Sequence, residues 1–235
     1  DRATSPLDMV TFTLASVVPT IEFEPAEWAG RPYSHVLSTP QWPTFWAAEL
    51  ERHGVAPLAP GSWQIPIQAI TEPTLIDGLV THALEGSGVA GFPDDEGTAG
   101  SDEDRVAAML GGFAFVADTG NVILEPGCCC DLGDYVYWAW FVGSDSAEHP
   151  PGSIGHAEVN GTRSGAHVEV RFSPSAAPER IPFRIDIADL KRELVNAREE
   201  VCRFRERLEV RLAEIVEPPA RAPTIARLLL GQRLP

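Results

Sequence analysis

Apolar residues recur every three or four positions between Asp186 and Glu217, the longest regular stretch in the chain. Ile187, Leu190, Leu194, Ala197, Val201, Phe204, Leu208 and Leu212 form one stripe of an amphipathic helix. Asp186 is placed to cap it, Asp189 favours its positive end, and Pro218-Pro219 stops it. About 30 residues at ~1.5 Å each make a rod of about 45 Å. A stripe of this length also suits a coiled-coil dimer. Ala197 and Phe204 are not preferred seam residues, so packing against the chain's own sheet is the favoured fate. Leu228 to Leu230, beyond Pro223, read as one more docked helical turn.

The same periodicity places Leu75, Ile76, Leu79, Val80 and Leu84 on one face of a helix over 74–84, with Gly86 as its stop. Thr44 to Arg52 reads as a shorter helix begun by Pro43 and ended by Gly54. Val10 to Val18 reads as a strand, and Trp63 to Ile70, with Pro66 inside it, as a loop or edge strand. Gly112 to Ala117, a turn at Asp118-Thr-Gly-Asn121, and Val122 to Leu124 predict a hairpin. Asn160-Gly161 predicts a second hairpin turn, between strands at 155–159 and 167–172. Tyr135 to Val142 is apolar throughout, so its period does not separate buried strand from helix. As a strand, it would put Trp138 and Trp140 on one face.

These elements predict an α+β fold: a mixed or antiparallel sheet around residues 110–172 with the 186–217 helix packed on it. A proline-rich region over 1–93 and a core over 94–235 are expected to form one compact unit. Asp1 to Asp8 precede Met9, a candidate native start.

Charge adds a bias. The formal net charge is -16, from 34 acidic and 18 basic residues. Residues 94–160 carry 13 acidic side chains and 1 basic one, whereas residues 161–235 carry 11 and 14. Such a chain is a poor partner for nucleic acid or an anionic membrane, both of which need clustered positive charge. It suits a basic protein, attracted at long range. Asp94, Asp95, Glu96, Asp102, Glu103 and Asp104 lie in an eleven-residue run with Gly, Ser and Thr and read as a solvated acidic loop. They are the candidate face for that partner. The longest apolar runs fall far short of the ~20 residues of a membrane span. Four cysteines, three of them consecutive, suit a reducing cytoplasm.

The chemistry-bearing motifs are sparse. Cys128, Cys129 and Cys130 lack the Cys-x2–4-Cys spacing of a zinc site and the Cys-x-x-Cys of a redox dithiol. No nucleophile elbow, phosphate loop or His-Glu-x-x-His is present. Neither a metal nor another cofactor is therefore expected. Asp131 and Asp134 read as turn and cap residues, although paired carboxylates also suit hydrolysis.

The run Leu124 to Trp138 and the Gly155-His156 pair are similar to the Pro-x-Cys-Cys-x-Asp-Leu…Trp…Gly-His pattern of a family of largely uncharacterised bacterial proteins. The matching residues are Pro126, Cys128, Cys129, Asp131, Leu132, Trp138, Gly155 and His156. More remotely, Gly112 to Val116, the Asp118–Gly120 turn and the downstream Trp resemble the SUKH superfamily of toxin-immunity proteins. That resemblance implies an α+β fold that binds and neutralises a toxin without catalysis. Cys130 stands where the pattern has a small residue, and the long helix lies outside it.

The functional expectation is a non-enzymatic, cytoplasmic, acidic binding protein that occludes a basic partner. Two rivals belong to other classes. One is a small hydrolase or metal-dependent enzyme using Cys128, Cys129, Asp131 and His156; the other is a homodimeric scaffold joined through the 186–217 helix.

Overall fold

A computed structural model of the chain describes residues 9–28, 40–85, 87, 89, 101–127, 130–143, 159–173 and 181–232. In chain order the elements are β1 (Val10–Phe12), β2 (Leu14–Glu22), α1 (Pro25–Trp28), α2 (Trp42–Arg52), β3 (Gln64–Pro66), α3 (Pro73–Leu84), α4 (Asp102–Arg105) and β4 (Gly111–Ala117). They continue with β5 (Val122–Leu124), α5 (Tyr135–Gly143), β6 (Val159–Ser164), β7 (His167–Phe172), β8 (Phe183–Asp186), α6 (Ile187–Ile215) and α7 (Ala222–Leu229). The fold is α+β. One sheet has the order β1-β8-β7-β6, with β1 parallel to β8 and the other pairs antiparallel. The other has the order β3-β2-β4-β5, in which β2–β3 and β4–β5 are antiparallel. The chain divides into two interleaved units: residues 1–18, 113–130 and 134–198, and residues 19–112, 131–133 and 199–235.

In the first unit, β7 and β8 alternate as half-buried strands should. Val168 faces Ile185 and Val170 faces Phe183, all four fully buried. Between them Glu169 faces Arg184, whose guanidinium donates to the carboxylate at 2.7 Å. That bond foremost, against a burial cost and with help from Arg171, holds the Glu169 carboxyl below the usual carboxylate range.

The hairpin between β6 and β7 differs from the one expected. Asn160-Gly161 lies inside β6, and the chain turns at Gly165-Ala166, with Ser164 paired to His167. Gly165 adopts the left-handed conformation (φ 61) that a tight turn reserves for glycine. Gly161 serves close approach instead. A Cβ there would stand 2.5 Å from Phe141 Cζ, and its N–H donates to the Tyr137 hydroxyl at 2.8 Å. Both aromatics come from α5, so the 135–142 run is a helix, and Trp138 and Trp140 do not share a strand face. Trp138 and Phe141 are fully buried, and Trp138 lies 4.5 Å from the Phe115 ring of β4. Arg163 donates to the Phe141 carbonyl at 2.9 Å, satisfying a group that the helix end leaves unpaired.

In the second unit, α2 ends by a hydrogen-bonded reversal. The N–H of Gly54 (φ 72) donates to the Glu51 carbonyl and that of Val55 to Leu50, the paired bonds of a Schellman motif. Trp42 and Trp46 stack at 5.4 Å, and their indole N–H groups donate to the carbonyls of Gly61 and Ser62. They are core residues. Expectation also holds for α3, where Leu75, Ile76, Leu79, Val80 and Leu84 are all buried. Residues 64–66 form the edge strand β3, the position in a sheet where Pro66 is tolerated. α7 closes with a second Schellman motif, from Gly231 (φ 69) to Leu228 and from Gln232 to Arg227. Leu228, Leu229 and Leu230 are buried, the docked turn expected of the tail.

α6 begins where β8 stops, and Asp186 accepts the Ala188 N–H at 2.6 Å as its cap. Its bounds are slightly tighter than 186–217, because Asp186 belongs to β8. Leu190, Leu194 and Ala197 are buried in the first unit, and Val201, Phe204, Leu208 and Leu212 in the second. The stripe is thus covered within the chain. Ala197, with no exposed surface, leaves no room for a charge. Ala197→Asp is expected to remove about 3 kcal/mol or more of stability. Urea denaturation of both proteins checks this, and an unchanged midpoint would place that face in solvent.

Candidate functional site

The end of β2 builds one wall of a cleft in the second unit. Half-buried Glu22 and Glu24 flank the fully buried Phe23. The Glu22 N–H donates to the Leu110 carbonyl at 2.8 Å, and the Phe23 N–H to Trp63 at 2.9 Å. Buried Thr20 donates its hydroxyl to Gln64 Oε1 at 2.8 Å, and Gln64 Nε2 donates to the Glu22 carboxylate at 3.2 Å. This relay fixes the Glu22 side chain. Gly111 (φ 154) lets the next strand approach, because a Cβ there would overlap the Thr20 carbonyl.

Three other described segments contribute to the cleft. α1 supplies Trp28, stacked on Phe23 at 4.3 Å and edge-on to His53 at 5.2 Å. α3 contributes Leu79, His82 and Ala83. Residues 107–110 close the rim, anchored by the Met109 N–H, which donates to the Leu229 carbonyl of α7 at 2.8 Å. The cleft has a volume of about 250 Å3. Ile21, Leu79 and Met109 are buried at its floor; Glu22, Glu24 and Trp28 are half-buried, and His82, Ala107 and Leu110 exposed. Among the described residues that line it there is no lysine or arginine, and no hydroxyl, thiol or amine nucleophile. Its described lining is mostly apolar and includes two glutamates.

The residues singled out from sequence lie elsewhere. Asp94, Asp95, Glu96, Cys128, Cys129, Gly155 and His156 are outside the described residues. Asp102, Glu103 and Asp104 form the helical turn α4, where a loop was expected. Ser101 and Asp104 make a capping box, with the Ser101 N–H donating to Asp104 at 3.0 Å. The Ser101 hydroxyl foremost, with its backbone N–H, holds the Asp104 carboxyl below the usual range. Asp102 takes both arms of the Arg221 guanidinium, with Nε at 2.9 Å. Its carboxylate is engaged inside the second unit.

Asp131 accepts the Gly133 N–H at 2.6 Å, the self-bonded turn that the sequence suggested. Gly133 sits against Gly231, where a Cβ would lie 2.5 Å from the Gly231 carbonyl oxygen. Leu132 and Trp138 are core residues. Cys130 is buried beside Pro126 and Trp138, in the first unit, around a cavity of about 10 Å3, room for one water at most. Among the described residues no group of three His, Cys, Asp or Glu side chains is placed to hold a metal. No helix there is long and apolar enough to cross a membrane.

The three arginines stacked along α6 have separate fates. Arg211 grips Asp77 of α3 with two bonds of 2.7 and 2.6 Å. Arg203 reaches Glu199 only at 3.8 Å. Arg207 donates to the Ile67 carbonyl and lies over the Phe204 ring, and burial, with Arg203 nearby, lowers its pKa. Burial likewise raises the Glu200 carboxyl, which lines neither cavity.

Glu22, Glu24 and His82 belong to no recognisable motif in the sequence. The available clue was local: two glutamates two apart at the end of a β-branched run. No known protein family, curated protein or solved structure matches the chain.

The engagement of Asp102 has a measurable consequence. Asp102→Asn is expected to cost about 1 kcal/mol, since the pair is bidentate but partly screened by solvent. Chemical denaturation reads this directly; a variant as stable as the native chain would mean that Arg221 does not depend on Asp102.

Proposed function

We propose that the chain is a non-catalytic binding protein that neutralises a basic protein partner by covering it, as proteins of the toxin-immunity type do. The observation that carries this reading is the cleft: two glutamates at an apolar slot, with no lysine or arginine among the described residues of its lining. The net charge of -16 supports it by drawing a basic surface toward the chain before contact. The remote resemblance of Gly112 to Val116, the Asp118–Gly120 turn and the downstream Trp to the SUKH superfamily points the same way. In this reading Asp102 and Asp104 act through the summed field, and contact falls to Glu22 and Glu24. Complementary charge sets the encounter, and a few buried anchors hold the complex.

Co-expression tests the proposal. The basic protein captured by this chain from its host at low salt is expected to arrest growth when produced alone. Producing the chain alongside is expected to restore growth. A captured partner that is harmless, or whose toxicity the chain does not relieve, contradicts the reading.

A further inference from the structure

Residues 101–110 carry the chain through α4 to the start of β4, and 107–110 form a rim of the cleft. The two ends of this segment are held differently. At the β4 end, Gly111 stands so close to the next strand that a Cβ would overlap the Thr20 carbonyl. The Leu110 carbonyl there accepts the Glu22 N–H at 2.8 Å, so this end is built into a sheet. At the α4 end, Asp102 is gripped by both arms of the Arg221 guanidinium, while the capping box of Ser101 and Asp104 ties the turn only to itself. Between the ends, residues 106–110 form neither helix nor strand. Val106 and Met109 are buried and Ala107 and Leu110 exposed. The middle is tied down by the Met109 N–H, which donates to the Leu229 carbonyl at 2.8 Å.

We propose that residues 101–110 are a strap along the cleft, latched by the Asp102–Arg221 pair and lifting at Met109 when that pair parts. A segment fixed at both ends rises only if one end yields. The sheet end is held by backbone bonds and close packing. The latch is a side-chain pair with 19% of the Asp102 side chain and 31% of the Arg221 side chain exposed, so water and salt compete for it. Arg221 also donates to the Glu217 carbonyl at 3.3 Å, which keeps it in place to receive Asp102 again. Ala107 and Ala108 give the cleft wall one methyl group each, so Val106 and Met109 are the strap's main apolar grip. A short irregular segment with so few buried side chains opens more readily than the whole unit unfolds. Lifting withdraws the 107–110 rim and widens the mouth of the cleft. The latch thus governs access to the cleft, whatever enters it, and this goes beyond the binding reading without depending on it.

Amide hydrogen exchange of the full chain, read residue by residue by NMR, tests the latch without any partner. The Met109 N–H reports lifting, and the Leu208 N–H, inside α6, reports unfolding of the second unit. In the native chain Met109 is expected to exchange faster than Leu208 after correction for intrinsic rates. Asp102→Asn is expected to speed Met109 exchange about fivefold, the worth of a bidentate pair partly screened by solvent. Arg221→Gln is expected to do the same, and the double variant to be no faster than either single one, because both changes remove one interaction. Equal protection of Met109 and Leu208 in the native chain would overturn the proposal, since the strap would then leave only when the unit unfolds. Unchanged Met109 exchange in Asp102→Asn would overturn it too, as would effects of the two substitutions that multiply in the double variant.

Discussion

Burial of one apolar seam along α6 is the constraint from which most of the structure follows. The helix runs 29 residues, about 44 Å at ~1.5 Å per residue, and each unit contains part of it. Each fully buried leucine or phenylalanine on that seam contributes about 1.5–3 kcal/mol. Four residues in the second unit, Val201, Phe204, Leu208 and Leu212, and three in the first therefore outweigh any single polar contact nearby. With the seam fixed, the charged positions have no freedom of face. Arg211 meets Asp77, while Arg192 meets Asp189 and Glu193. The start of the helix is fixed as well, because β8 delivers the chain to Asp186 in register with β7.

The charge of the chain then divides into two parts. Some carboxylates serve the fold: Glu169 binds Arg184, Asp77 binds Arg211, Asp102 binds Arg221, and Asp104 caps its own turn. With 34 acidic and 18 basic residues, at least 16 carboxylates cannot have a lysine or arginine to themselves. Pairing every cation would still leave the net charge at -16. That surplus gives the chain its long-range field, and the cleft bearing Glu22 and Glu24 is where we place its short-range use.

Sequence patterns disclosed the elements whose period is their own cause. α3, α6 and the β4–β5 hairpin were legible because one apolar face or one turn determines each of them. The 135–142 run was ambiguous because α5 is apolar all round, so no face stands out. Asn160-Gly161 misled because glycine answers two needs, and here it makes room for Phe141 while Gly165 makes the turn. The role of Asp102 was hidden by distance, since Arg221 lies 119 residues away. The cleft was hidden for the same reason. Its lining comes from β2, α1, α3 and residues 107–110, which share no spacing in the sequence.

The central claim is that surplus negative charge guides a basic partner onto the chain. The rate of association with that partner, followed by stopped-flow mixing as salt is raised from ~0.01 to ~1 M, tests it most directly. Over that range the screening length falls from about 30 Å to about 3 Å. The account predicts that association slows steadily with added salt while dissociation changes little. Association that is as fast at high salt as at low salt would contradict it.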